Sequence, residues 1–457
     1  MDDDSTDASG LSLPELADGS AAWAEELATI SRLKGLEHED RVGSLYWAVA
    51  PELALALTGG SMKVVRSPQH LALQSVRRSF IRSAGPKLIR VGPVLVVSTS
   101  NQTDRVFAPV IRTLSQRFGK AVPSTLPRLT VEAFRHSHSR TIALRRELGG
   151  EGALPEGTNR RLLDETIDQS SILIERARRL MGSADAPSVV MVATQHGAAV
   201  RSVLAAINDF SEVTSVYIPH APVARNAFYA DLPVHHAILR GPAEVGVYEA
   251  MGAPLSRMSS AGDPSIGWRT EAFAPAGDVL LYALSSEDPT AIQEEVNLIA
   301  EACVGEVEVS LHPLMRNRSD IKAMLPGPWR LNPLTSTYDR MASAGFRAVV
   351  QRSSGVGLEA LGLGLPVIDL CAPGRKPNYH YLTEPDVAIV SSGPGLARAL
   401  DAAVRTDQAD QVRRRLAGEW VQSVGDVAAS AIAGEVVRIV EAGWSQSLIL
   451  DGWRSGS

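Results

Sequence analysis

The sequence predicts an α/β protein: two Rossmann-like halves of comparable size facing a central cleft, with a helical N-terminal extension and a helical C-terminal tail. Three observations predict it. Short, nearly continuous apolar runs rich in Val and Ile recur along the chain, the pattern of strands buried on both faces of a parallel sheet. They alternate with stretches of helical spacing, which implies parallel βα units. The alternation starts twice, on either side of a segment at 252–277 rich in Gly, Pro, Ser and Ala. The expected division is 1–85 for the helical extension, 86–255 for the first Rossmann-like half, 256–405 for the second, and 406–457 for the tail.

The elements follow in order. Residues 1–10 are polar. Ala21–Leu33 and Leu45–Leu57 have helical patterns, broken afterwards by Gly59-Gly60 and Ser67-Pro68. Val91–Ser98 reads as the first strand, and Val106–Phe118 as the helix that follows it. Ser188–Ala193, Val213–Ile218 and Val234–Leu239 read as further strands, with helices at Arg160–Met181 and Ala198–Phe210 between them. The second series begins at strand Asp278–Leu284 and helix Ala291–Cys303. Strands Val307–Leu311 and Phe346–Gln351 come next, then helix Val356–Leu363 and strands Pro366–Leu370 and Val387–Val390. The tail, Gln411–Ala442, is helical.

The composition limits what the chain can do. Of 457 residues, 45% are hydrophobic and 21% charged, too apolar for a disordered chain. The longest apolar runs, such as Val94–Val97, fall far short of a bilayer span. The start, Met1-Asp-Asp-Asp, lacks the basic and apolar regions of a signal peptide. A net charge of −6 argues against a nucleic-acid partner. Cys303 and Cys371 cannot form a disulfide framework or a zinc site by themselves, which fits a reducing, cytoplasmic setting.

In open α/β sheets ligands bind beyond the carboxyl ends of strands, so the loops after strands carry the candidate chemistry. Gln351-Arg352-Ser353-Ser354-Gly355 turns from strand to helix, and its hydroxyls and helix-start N–H groups suit a phosphate. Glu359, about one and a half turns into that helix, suits a ribose diol. The alternative is that the serines only cap the helix and Glu359 is a solvated carboxylate. His312, followed by Pro313, ends strand Val307–Leu311 and can donate to a phosphate. His220 ends a strand of the first half and would face the cleft from the other side. Gly262-Asp263-Pro264 punctuates the seam. His136 and His138 would share one side of a strand, but no third metal ligand is identifiable, and a basic surface loop is expected there.

Strand-His-Pro followed by Ser-Ser-Gly-Val-Gly-Leu-Glu-Ala-Leu and Gly-x-Pro-Val resembles the nucleotide half of bacterial GT-B glycosyltransferases. The closest likeness is to capsule-polysaccharide enzymes of the Kdo-transferase and polysialyltransferase type and to CDP-glycerol glycerophosphotransferases of teichoic acid synthesis. It covers roughly residues 185–395. The resemblance implies that His312, Pro313, Ser353 and Ser354 hold the phosphate of a CMP- or CDP-activated donor and that Glu359 holds its ribose. It implies that Gly262 belongs to a Gly-x-Pro motif opening the second half. Such proteins often show a strand ending in Gln-His-Gly, and the matching place is read as Ile218-Pro219-His220-Ala221, where only the His is kept. Arg352 stands where the glycerophosphotransferases tend to have an Asp-Tyr pair.

The expected function is transfer of a sugar or polyol phosphate from such a donor to a surface-polysaccharide or lipid-linked acceptor. No metal or cofactor is expected, with the nucleotide-activated sugar as co-substrate. The acceptor would bring the protein to the inner face of the membrane. Gly355 and Arg352 join the phosphate candidates, with Arg316 and Arg318 as weaker ones. His220, and after it Asp104, are the candidates for the base of an inverting reaction, and a retaining course stays open. The alternatives are a UDP-sugar transferase, a UDP-sugar 2-epimerase-like enzyme, and a non-catalytic GT-B scaffold.

Overall fold

The computed structural model describes residues 43–57, 86–150, 158–195, 197–224, 232–266, 277–285, 289–302, 305–311, 318–332, 337–343, 345–352, 354–371, 377–403 and 407–442. The expected helix at Ala21–Leu33 lies outside them.

The first half opens with helix α1 (Gly43–Leu57), then β1 (Lys87–Val91), β2 (Val94–Ser98), α2 (Asn101–Phe118) and β3 (Val122–Ser124). Two long helices follow, α3 (Val131–Gly150) and α4 (Thr158–Met181). The half continues through β4 (Val189–Val192), α5 (Ala198–Ile207), β5 (Thr214–Tyr217), β6 (His236–Leu239), α6 (Pro242–Ala250) and β7 (Met258–Ser260). The seven strands run in the order β3-β1-β2-β4-β5-β6-β7, parallel from β2 to β7.

Two sequence expectations change here. The run at 91–98 is not one strand. Val91 ends β1 and Val94 starts β2, antiparallel across a two-residue loop. Gly92 takes φ +54° at the first central position, where tight hairpin turns need positive φ. The segment at 252–277 is not all linker either, because β7 lies in it and completes the sheet.

The second half contains β8 (Val279–Leu284), α7 (Pro289–Ala302), β9 (Val307–Leu311), α8 (Arg318–Met324), β10 (Arg330–Leu331), α9 (Thr337–Ser343), β11 (Phe346–Gln351), α10 (Val356–Gly362), β12 (Val367–Leu370), β13 (Ala388–Val390) and α11 (Gly393–Ala402). Its six parallel strands run β10-β9-β8-β11-β12-β13. The chain winds outward from β8 to β10, returns to the other side of β8 at β11, and winds outward again. The topological switch point therefore lies between β8 and β11, where ligands bind in folds of this order. The two halves together make the GT-B-like, doubly parallel architecture that the sequence predicts.

The tail is two helices, α12 (Asp407–Trp420) and α13 (Gly425–Ala442). The first packs on α10 and α6, one from each half. The second packs on α2. Ile432, Ala433, Val436 and Ile439 of α13 share a buried cluster with Val106, Phe107, Val110 and Leu114 of α2 and with Val94 and Val96 of β2. Helix α1 packs on α4 and α5, where the buried Arg201 donates from Nε to the Trp47 carbonyl at 3.0 Å and lies 4.0 Å from the Trp47 ring. Among the described residues no helix is long and apolar enough to cross a membrane.

Candidate functional site

The loop after β5 and the turn after β11 meet. A Cβ built on Gly355 would lie 3.3 Å from Pro222 Cδ. The next residues continue the contact: the His380 N–H donates to the Val223 carbonyl at 3.2 Å, and Ala224 forms an antiparallel bridge with Tyr379. This brings His220 of the first half and Ser354 of the second to one boundary.

The β11 turn sits at the switch point and is held from below. The Ser285 hydroxyl, just after β8, donates to the Arg352 carbonyl at 2.8 Å. Arg352 itself turns to Glu295 of α7, Nη1 to Oε1 at 2.8 Å, and that carboxylate also accepts from the Tyr282 hydroxyl. The Glu295 hydrogen bond holds the Arg352 guanidinium above its usual pKa despite partial burial. Burial, reinforced by Glu295, pushes the Tyr282 phenol well up, so it stays a donor. Arg352, expected at a phosphate, thus serves an ion pair behind the turn.

A second buried network supports Ser354. The Tyr381 hydroxyl donates to the Ser354 carbonyl at 2.5 Å and accepts from Gln351 Nε2 at 2.9 Å. Gln351 Nε2 also lies 3.3 Å from Asp369 Oδ1. Burial raises the Tyr381 phenol well above its ordinary pKa, so this hydroxyl too stays protonated. Gly357 is required above the network: a Cβ there would overlap Tyr381 Oη and reach 2.6 Å from Gln351 Oε1. Ser354 Oγ accepts from the Val356 N–H at 3.3 Å, a long bond at the helix start, where Gly355 and not the serine is the N-cap.

Glu359 lies in the first turn of α10, closer to the helix start than the spacing predicts. Arg105 of α2 reaches it across the boundary at 3.7 Å, with its guanidinium 5.7 Å from the Tyr338 ring centroid. Its neighbour Asp104 turns instead to Lys87 on β1, at 2.8 Å. The structure thus gives Asp104 a surface ion pair with β1.

His220 is half-buried, with Nδ1 2.5 Å from the Ala193 carbonyl at the end of β4. A carbonyl can only accept, so Nδ1 carries the proton and Nε2 of the neutral ring keeps its lone pair. Arg240 fixes this loop. Its Nη2 donates to the Pro219 carbonyl at 3.0 Å and its Nη1 to the Ala221 carbonyl at 2.7 Å, on either side of His220. Arg240 is buried and pairs with Asp263 at 2.8 Å and Glu244 at 3.3 Å. Burial would raise the Asp263 carboxyl, but Arg240 and Ser265 offset this and hold it below the usual range, whereas burial wins at Glu244.

Gly262 has a packing reason. It takes φ +104°, and a Cβ there would overlap the Ser423 carbonyl. Asp263 bridges to Val424 just beyond. The seam motif thus clamps the tail to the first sheet.

His312, Pro313, Ser353 and Arg316 lie outside the described residues; β9 ends at Leu311, directly before His312. Arg318 starts α8 and donates to the Asn332 carbonyl at 2.7 Å. His136 and His138 are on helix α3, not a strand or loop. Two positions apart on a helix lie about 200° apart, so they do not share a side.

The sequence reading missed one motif. Gln195-His196-Gly197 follows β4 after two intervening residues, so the Gln-His-Gly expected of the resembled enzymes is intact there, not in altered form after β5. Its signal was the plain tripeptide after Ser188–Ala193. Gln195 is buried and donates from Nε2 to the Tyr248 hydroxyl at 3.2 Å.

No known protein-family profile matches the chain, and no curated protein matches it. Several solved structures resemble it. S. aureus MnaA, solved with UDP, is 10% identical, with 78% of this chain and 97% of that one covered and a TM-score of 0.48. The Methanocaldococcus jannaschii UDP-GlcNAc 2-epimerase, in complex with UDP-GlcNAc and UDP, is 12% identical over 74% and 96%, TM-score 0.43. The calicheamicin glycosyltransferase CalG4 is 14% identical over 61% and 80%, TM-score 0.40.

Proposed function

We propose that the chain is a glycosyltransferase that moves a sugar, or a polyol phosphate, from a CMP- or CDP-activated donor to a surface-polysaccharide or lipid-linked acceptor. The observation that carries this reading is the meeting of the β5 loop with the β11 turn at the switch point of the second sheet. A donor lying over β8 and β11 would have its phosphate beside Ser354 and its sugar toward the first half. His312 and Ser353, neighbours of β9 and of Ser354 in sequence, join the phosphate set through the family resemblance.

The chemistry needs two things. Charge developing on the departing phosphate needs preorganised donors. The Ser354 hydroxyl, with Ser353 and His312, would supply them, and the Tyr381 bond to the Ser354 carbonyl keeps the turn fixed. On an inverting course the acceptor hydroxyl attacks the anomeric carbon, the bond to the phosphate oxygen breaks, and the acceptor proton passes to a base. His220 Nε2 is oriented for that role by the Ala193 carbonyl and the Arg240 clamp. Glu359 would accept from the ribose diol, in exchange for Arg105.

Calorimetric titration with CMP, CDP, UDP and GDP tests this, repeated on His312→Ala and Ser354→Ala. The expected result is preferential binding of a cytidine nucleotide that both substitutions abolish. Selective UDP binding would move the reading to a UDP-sugar transferase or epimerase. A folded chain that binds no nucleotide would sink the assignment and favour the scaffold.

A further inference from the structure

Helix α3 is amphipathic in an unusual sense. Its inner face, Ser137, Thr141, Leu144 and Leu148, is buried, and α3 packs on α4. Its outer face carries Val131 at 68% exposure, Ile142 at 45% and Phe134 at 40%, three of the seven large hydrophobics exposed among the described residues. These positions recur at the three-to-four-residue interval of one helix face. Arg135 and Arg146 share that face and are exposed, and His138 stacks on Phe134 with ring centroids 6.3 Å apart. The two carboxylates of the helix, Glu132 and Glu147, lie about 80° or more from the centre of this face. Arg140 and Arg145 turn to Glu175, Asp164 and Asp168 of α4, so they belong to the inner packing.

We propose that α3 docks the protein on an anionic bilayer surface, with Val131, Phe134 and Ile142 entering the interface and Arg135 and Arg146 meeting lipid phosphates. Apolar side chains flanked by arginines are what an interfacial helix needs, and an anionic leaflet attracts such cations. The charge is local, since the whole chain carries −6. A second copy is a poorer occupant. Two copies joined through this face would bring the arginines of one copy toward those of the other. The proposal does not depend on the nucleotide reading.

The test is co-sedimentation of the full chain with vesicles of phosphatidylcholine alone and of phosphatidylcholine with phosphatidylglycerol, at low and high salt. Binding is expected only to the anionic vesicles, weakening as salt rises. Arg135→Gln with Arg146→Gln should weaken it about 25-fold, at roughly fivefold per surface cation. Phe134→Ser with Ile142→Ser should weaken it at least about tenfold. All four side chains are exposed, and circular dichroism melting checks that the variants stay folded. A wild type that ignores anionic vesicles overturns the proposal. So does binding that survives either pair of substitutions; survival of the apolar pair alone would mean an anion-attracting surface without insertion. Self-association that the same substitutions abolish, without vesicle binding, would make a second copy the occupant and also overturn it.

Discussion

Arg240 and Gln351 each close a buried strand end at the boundary between the halves, one after β6 and one at the end of β11, but their surroundings are built in opposite ways. Arg240 is enclosed: two carboxylates, Asp263 and Glu244, and two carbonyls, of Pro219 and Ala221, accept from it. Gln351 is neutral and open on one side: its amide donates to Tyr381 and Asp369, while its Oε1 finds no hydrogen-bond partner among the described residues. The closed cluster fixes the His220 loop by charge. The open one fixes the Ser354 turn through a phenol bond and the close approach of Gly357. A rigid base on one side and a turn held by neutral, adjustable bonds on the other is a sensible division where a donor must enter beside the turn.

Breaking the closed cluster should cost the most. Asp263→Ala leaves Arg240 buried without its nearest carboxylate, and urea denaturation should report a loss of about 3–5 kcal/mol. A conservative result, under about 1 kcal/mol, would mean that water reaches Arg240.

The strand that carries Arg240 should also be acid-sensitive. Burial, and secondarily Arg257, pushes His235 down to about 4, and its Nδ1 accepts from the Ser215 N–H at 2.9 Å. The unfolded chain binds this proton near pH 6.5 and the folded one only near 4, so the contribution is whole above about 6.5 and is lost as pH falls toward 4. About 3 kcal/mol should disappear across that window. His235→Asn should flatten the pH dependence of stability by one proton; an unchanged slope would assign it elsewhere.

On the open side the effects are smaller and should show in ligand binding. Gly357→Ala drives a methyl into Tyr381 and Gln351, costing about 1–3 kcal/mol of stability by overpacking and displacing the Ser354 turn, so nucleotide affinity should fall with it. Tyr381→Phe removes two hydrogen bonds, to the Ser354 carbonyl and from Gln351 Nε2, each worth about 1 kcal/mol. The expected readout is roughly fivefold weaker nucleotide binding alongside a stability loss of about 1–2 kcal/mol in urea. Stability lost with affinity kept would make Tyr381 an ordinary core residue.

Val307–Leu311 and Phe346–Gln351 have the bounds that the sequence indicated: apolar residues at alternate or successive positions marked them, although Glu308, Ser310, Arg347 and Gln351 are polar. The hairpin was hidden because Gly92 and Pro93 interrupt a run that is apolar on both sides. Helix α3 was hidden because Ser137 and Thr141 face inward while Val131, Phe134 and Ile142 face out, which removes the usual apolar periodicity. At the site, strand-end residues were legible from sequence, since strand ends are where ligands sit. The partners that reach them were not. Glu295 on Arg352, Arg105 on Glu359 and Arg240 beside His220 arrive from elements far along the chain, and no local pattern announces them.

The final helix has a consequence for how the protein is made. The core beneath β2 and α2 needs Ile432, Ala433, Val436 and Ile439, and the Gly262–Asp263 clamp needs Ser423 and Val424. The ribosome reaches these residues only after it has made the entire second sheet. The second half can collapse around its own strands as it emerges, whereas the first, though synthesised earlier, waits with an apolar face uncovered until the tail helix has been made. Order of synthesis and order of completion are therefore reversed, and a nascent chain stalled before residue 425 would leave its oldest domain the more exposed to aggregation.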